Sequence, residues 1–182
     1  MSLPFEFLDA RPIVIVLAGP NGAGKSTFYE SFLADSGLRF VNADVLALGL
    51  GVSAYEAAGL ASSLRSALVA QRESFIFESV LSDPVGEKVD QFAAYAAHGY
   101  SVALIFIQIG SPDKSIQRVA MRASQGGHDV PHEKLRAGFE RTWAELKLAI
   151  ECLPNVIVYS NDDLAHPYNL VDLYKNGKRI SI

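Results

Sequence analysis

The chain has one cysteine, Cys152, in 182 residues, so no intrachain disulfide can form. That usage suits a reducing compartment, and the sequence assigns the lone thiol to core packing. Long apolar runs are missing as well. The best, VALIFIQI at 102–109, has the length of a strand and falls far short of the eighteen or more residues a membrane-spanning helix needs. The opening MSLPFEFLDARP lacks the basic region and apolar stretch of a secretory signal, and a cytoplasmic protein with no membrane association is expected. Basic charge is in short supply: 16 Lys and Arg against 20 Asp and Glu leave a net charge of -4. This balance argues against a nucleic-acid partner, whose footprint is normally a strongly basic domain. Repeats, linkers and low-complexity segments are also absent, so the length fits one domain over 1–182.

What is present is an alternation of β and α segments. Apolar, β-branched runs at 12–18, 39–43, 74–79, 100–108 and 155–160 read as strands. Their near-continuous hydrophobicity is that of strands covered on both faces, which predicts a mostly parallel five-stranded sheet with helices on either side. Gly37 and Gly99 stand where the intervening helices should stop, and Ser111-Pro112 supplies an N-cap and a proline for the first turn of another. Leu135, Phe139, Leu146, Ile150 and Leu153 form the core-facing stripe of a helix over 131–152. Asn176-Gly177 between two extended runs predicts a C-terminal β-hairpin over about 168–182.

The strongest chemical signal is GPNGAGKS at 19–26, which fits G-x-x-x-x-G-K-[ST] between a strand and a helix. A phosphate-binding loop is thereby expected over Gly19, Pro20, Asn21, Gly22, Ala23, Gly24, Lys25, Ser26 and Thr27. Its glycines let backbone N–H groups approach phosphate oxygens, Lys25 reaches the β and γ phosphates of ATP, and the Ser26 hydroxyl ligates Mg²⁺. A guanine-reading NKxD is lacking, because SNDDL at 160–164 has an acid where the lysine belongs. The strand over 102–108 ends in Gln108 and carries no acidic pair of the kind motor ATPases use. A small kinase needs less: the cradle, a carboxylate beside the acceptor hydroxyl, and positive charge over the phosphates.

Asp44, read as the end of the second strand in FVNAD, is the best candidate base, a role that could coexist with capping the following helix. Glu78, at the end of the third strand, is placed in the same crevice near Mg²⁺ or substrate, with Ser79 and Ser82 as further substrate-binding candidates. Lys114, Arg118 and Arg122 recur every fourth residue with no acid three or four places away, so they share one helix face. An anionic ligand would explain that, and Arg118 and Arg122 are expected to cover the phosphates from a helical lid over about 112–135 that turns at Gly126-Gly127. Arg136 and Arg141 are each followed at four residues by Glu140 and Glu145, which makes surface pairs and ligand contacts equally plausible for them. His98, His132 and His166 lack metal-ligand spacing, and His128 falls in the glycine turn.

Taken together, AGPNGAGKST, VNAD, FESVLS and R-x-x-x-R-x-x-x-GGHDVP resemble the zeta-toxin family of P-loop kinases, over about residues 12–160. The resemblance implies an ATP/Mg²⁺-dependent kinase with Lys25 on the phosphates, Asp44 as base, Glu78 near the substrate, and Arg118 with Arg122 as lid arginines. In the classical toxins the acceptor is a hydroxyl of UDP-N-acetylglucosamine, so a nucleotide sugar heads the small-molecule acceptors. FESVLS departs from the threonine- and arginine-rich substrate loop of those toxins, and no motif matching their antitoxin contacts is present. Two alternatives stay open: a different small-molecule or nucleotide kinase, and an ATP-gated protein-binding module with little catalysis.

Overall fold

The structure, a computed structural model, describes residues 5–83, 85–124 and 130–181. Five parallel strands, β1 (Ile13–Ala18), β2 (Arg39–Val41), β3 (Phe75–Ser79), β4 (Ser101–Gln108) and β5 (Asn155–Ser160), lie in the order β2-β3-β1-β4-β5. The hairpin of β6 (Asn169–Lys175) and β7 (Lys178–Ile180) joins β5 antiparallel and makes the sheet seven-stranded. The α/β P-loop fold is as the sequence predicts. Asn176 and Gly177 turn the hairpin with φ of 49° and 75°, the two positive values that a tight primed turn requires.

Successive residues along each parallel strand enter different cores, which is why the strands read as unbroken apolar runs. Val14, Val16, Phe75, Phe77, Leu104, Phe106, Val156 and Val158 pack on one face against Leu68 of α3 (Ala54–Ala70), Val89 and Phe92 of α4 (Glu87–Ala97), and Leu146 and Ala149 of α6 (His132–Cys152). Ile13, Ile15, Leu17, Ile105, Ile107 and Ile157 face the other side, where Phe28 and Leu33 of the helix after the phosphate loop cover them. That helix is composite: α1 (Lys25–Phe28) passes into a π turn over Tyr29–Leu33 and a 3-10 turn that ends at Gly37, φ 71°. The wide turn sits directly behind the loop, where such bulges commonly accompany function.

Three expectations are corrected. The second strand ends at Val41, not at Asp44, because Asn42 stops it by capping α2 (Ala43–Leu50): its Oδ1 accepts from the Asp44 and Val45 amides at 2.8 and 3.2 Å. Asp44 therefore lies in the first turn of α2, and the cap is Asn42. Cys152 is exposed, since it closes α6 on the side away from the buried stripe. The basic face of α5 (Pro112–Ser124) does have protein partners, supplied across the fold and not along the helix: Lys114 Nζ lies 2.7 Å from Asp162 Oδ1, and Arg118 donates to the Asn161 carbonyl at 2.8 Å. Arg136 pairs with Asp113 at 2.5 Å and Arg141 donates to the Ser82 carbonyl at 3.2 Å, so their bonds run to other elements. Gly126-Gly127 and His128 fall outside the described residues. Among the described residues no single helix is long and apolar enough to cross a membrane, and no cluster of three His, Cys, Asp or Glu is placed to hold a metal.

Glu145 of α6 is 4% exposed, its Oε1 accepts from the Asp83 amide, and its Oε2 has no partner among the described residues. Burial holds its pKa above the usual carboxylate range, while the Asp83 amide and the nearby charges of Lys88 and Arg141 offset part of that rise. A raised folded-state pKa means stability that is fully present below the unfolded value and lost as pH climbs through the folded one. Glu145→Gln is therefore expected to gain melting temperature relative to the parent between pH 4.5 and 7.5, as scanning calorimetry at the two pH values will show. Cys152 is expected to react fully with a disulfide reagent such as Ellman's in the native protein without denaturant.

Candidate active site

The phosphate loop begins where β1 ends and is held from behind through its own carbonyls. Lys25 Nζ donates to the carbonyls of Gly19 and Pro20 at 3.0 and 3.1 Å. The Asn21 carbonyl accepts from Ser115 Oγ at 2.6 Å, and that of Gly22 from Arg118 Nη1 at a long 3.5 Å. The Ala23 carbonyl accepts from Asn161 Nδ2 at 2.8 Å, and that of Gly24 from the Tyr168 hydroxyl at 2.9 Å. All six carbonyls from 19 to 24 thus have a side-chain donor: those of 21 to 24 from distant elements, and those of 19 and 20 from Lys25 of the loop itself, where the Ala23 amide also donates to the Pro20 carbonyl at 3.2 Å. A peptide whose C=O points away from the crevice turns its N–H toward it, and a run of such amides makes an anion-binding nest at the start of α1.

The glycines here are required by close approach as much as by dihedral. A Cβ on Gly19, φ 141°, would stand 2.3 Å from the Ile107 carbonyl oxygen, and one on Gly24, φ 90°, 2.6 Å from Asn161 Nδ2. Arg118 packs its stem on the loop as well, with Cβ 3.1 Å from where a Gly22 side chain would begin.

β3 lies next to β1 in register, pairing Glu78 with Leu17 and Ser79 with Ala18, and this brings a carboxylate to the mouth of the loop. Glu78 Oε2 accepts from Ser26 Oγ at 3.0 Å and from Asn42 Nδ2 at 2.8 Å, while Oε1 lies 3.6 Å from Lys25 Nζ. Lys25 is only 5% exposed, and burial pulls its pKa down; the Glu78 charge and hydrogen bond oppose that fall, Arg122 adds to it, and Asp44 opposes it. Asp44 and Arg122 are consequently both within electrostatic reach of Lys25, from α2 and α5.

Ser26 and Glu78 fit Mg²⁺ by chemistry and spacing. Both offer hard oxygens, and their 3.0 Å separation matches the edge of about 2.9 Å between neighbouring ligands of an octahedral Mg²⁺ with bonds of 2.0–2.1 Å. Ser79 Oγ accepts from the Leu81 amide at 3.2 Å within the chain turn after β3. Ser82 Oγ faces α6, 3.7 Å from a side chain placed on Gly138. Thr27 is exposed beside Tyr168, whose phenol pKa burial raises while Thr27 and Arg118 counter it.

Four residues that position the site carried little sequence signal. Asn42, inside VNAD, is legible as an N-cap, and its second role on Glu78 is tertiary. Ser115, Asn161 and Tyr168 reach the loop over 94, 138 and 144 residues, and nothing in their neighbourhoods marks them.

Residues 14–142 match the family described as AAA domain. No curated protein matches the chain in sequence. Similar solved structures include the AvrRxo1-ORF1:AvrRxo1-ORF2 complex with sulphate ions, with TM-score 0.75 and 18% identity over 94% of this chain and 61% of that one. The complex of the same pair with ATP has TM-score 0.73 and 19% identity over 94% and 60%. The PezAT chromosomal toxin-antitoxin system of Streptococcus pneumoniae has TM-score 0.63 and 18% identity over 90% and 72%. The chain spans about 60% of the length of the first two. At these identities the likeness is one of fold, the α/β P-loop fold described above.

Asn161→Ala leaves the Ala23 carbonyl without its donor, and a loss of about 1–3 kcal/mol in stability is expected. ATP affinity should fall about tenfold, or 1.4 kcal/mol, because the neighbouring amides lose their fixed direction. Urea denaturation and titration calorimetry read the two effects separately.

Proposed function

Since the chain belongs to the AAA domain family, matched over residues 14–142, we propose that it is an ATP- and Mg²⁺-dependent kinase acting on a hydroxyl of a small molecule. The observation that carries this reading is an intact phosphate loop whose Lys25 has the Glu78 carboxylate at 3.6 Å and Ser26 hydrogen-bonded to that same carboxylate, with the charges of Asp44 and Arg122 felt at Lys25 from α2 and α5. The loop amides and Lys25 hold the β and γ phosphates, and phosphate oxygens restore to buried Lys25 the negative company that its own loop carbonyls only partly provide. Ser26, with Glu78 beside it, would hold Mg²⁺, which when bound neutralises charge between the β and γ phosphates.

The acceptor oxygen bonds to the γ phosphorus as the bond from that phosphorus to the β–γ bridging oxygen breaks. Its electron pair leaves with ADP, and the hydroxyl proton passes to the Asp44 carboxylate. Asp44 is exposed in the first turn of α2 and unpaired by any ion pair among the described residues, so a carboxylate there is free to receive a proton late in transfer. Arg122 contributes positive charge over the γ-phosphoryl oxygens. Arg118, engaged with Gly22 and Asn161, acts on ATP chiefly by holding the loop. Resemblance to the zeta-toxin family puts a nucleotide sugar such as UDP-N-acetylglucosamine first among acceptors.

Asp44→Ala is expected to lower kcat by about 10²- to 10⁴-fold with ATP affinity within about threefold of the parent, measured by acceptor phosphorylation and by titration calorimetry. Turnover that survives this change would remove Asp44 as base. A protein that binds ATP yet phosphorylates no acceptor would instead favour a nucleotide-gated binding module.

A further inference from the structure

Next to Glu78, on the side away from the phosphate loop, lies an open pocket of about 360 Å³ between the ends of β2 and β3 and the helices α3 and α4. Its walls include Val41, Ala43, Phe77 and Phe92, and its polar lining includes Arg65, Lys88 and Gln91. Phe77 and Phe92 meet edge to face at 5.3 Å, and the Arg65 guanidinium lies 5.0 Å above the Phe77 ring. Arg65 lines the cavity from that position and spends no N–H on a hydrogen bond to another described residue.

The charges do not balance. Neither Arg65 nor Lys88 makes an ion pair or a hydrogen bond with another described residue. Lys88 is close enough to buried Glu145 to be felt by it, but does not bond to it. The one carboxylate in the lining, Glu78, is already committed to Lys25, Ser26 and Asn42. Two half-buried cations thus stand against aromatic walls with no ion pair to any described residue, an arrangement that an anionic ligand would complete.

We infer that this pocket is the acceptor site and that Arg65 and Lys88 clamp an anionic group of the acceptor, so that the substrates are hydroxylated small molecules bearing a phosphate or carboxylate. The inference rests on the kinase reading and narrows it. The Glu78 end of the pocket adjoins the phosphate loop and receives the hydroxyl; the Arg65–Lys88 end receives the anion, which Arg65 can bind through two parallel N–H bonds. A pocket near the lower end of ligand-site volumes takes one ring or a short chain with its anion, and the remainder of a larger acceptor such as a nucleotide sugar extends out of its open mouth.

The test is a binding titration on the full chain with Mg²⁺ and a saturating non-hydrolysable ATP analogue, so that the phosphate loop is already filled. UDP-N-acetylglucosamine, glucose 6-phosphate, gluconate and neutral glucose are the probes. At least one anionic probe is expected to bind at least tenfold more tightly than glucose, and its affinity should drop at least tenfold in Arg65→Gln and in Lys88→Gln. Arg65→Lys should recover part of the loss, and the melting temperature and ATP-analogue affinity of each variant should match the parent. Which probe binds separates a diphosphate, a monophosphate and a carboxylate as the recognised anion. Glucose binding as well as glucose 6-phosphate, unchanged affinity in both Gln variants, or no anionic probe binding at 10 mM would each overturn the clamp. The probe that binds is then incubated with ATP and Mg²⁺ in place of the analogue: charge-dependent binding with no phosphorylated probe formed would sink the kinase reading and leave the clamp standing.

Discussion

The site depends on the pinning of the carbonyls of residues 21–24 behind the phosphate loop by side chains from distant elements, with Lys25 holding those of 19 and 20. A loop rich in glycine has no preferred direction for its amides, and left to itself it would satisfy its own polar groups or bond water. Lys25, Ser115, Arg118, Asn161 and Tyr168 remove that freedom by taking the carbonyls of residues 19–24 one after another. The cost of ordering the loop is met during folding, so an incoming triphosphate finds the N–H groups already aimed. This explains why the basic face of α5 and the segment after β5 pack together, and why the β5–β6 hairpin matters to a site on the far side of β1: its first turn delivers Tyr168.

Electrostatics then sorts the cations by whether the protein itself answers them. Lys25 is buried and answered by Glu78 and two carbonyls. Lys114 is answered by Asp162, whose pKa its hydrogen bond and that of the Gly110 amide pull below the usual range. Arg136 is answered by Asp113. Arg65 and Lys88, half-buried and in no ion pair with a described residue, line the pocket beside Glu78 that we assign to the acceptor. Glu78 links the two halves, because the same carboxylate that steadies Lys25 and Ser26 also lines that pocket.

How much of the site was legible follows from the range of the interactions. The cradle is a local pattern, eight consecutive residues between a strand and a helix, and local patterns are readable in one dimension. Glu78 could be placed because parallel strands present their carboxyl ends together. Asp44 was assigned to a strand end and lies instead in a helix: the apolar run FV continues smoothly into NAD, and only the capping bonds of Asn42 show that the chain has already turned. The lack of helical acids beside Lys114 and Arg118 was a true observation, but the partners sat about 45 residues onward, where spacing along one helix cannot reveal them. Cys152 was misjudged for a similar reason, since its position on the helix circumference depends on what α6 packs against.

By itself the sequence determined the strand runs, the parallel sheet that two-sided apolarity demands, the phosphate loop, the helix punctuation at Gly37 and Gly99, and the hairpin at Asn176-Gly177. Each follows from short-range sterics or from a periodicity of burial, which a chain carries in its own order. Tertiary structure alone decided which side chains hold the loop, which cations are paired, and that a charged, aromatic-walled pocket opens beside Glu78. Most of those depend on distances between residues 23 to 144 places apart, and these are set only when two cores close on opposite faces of one sheet.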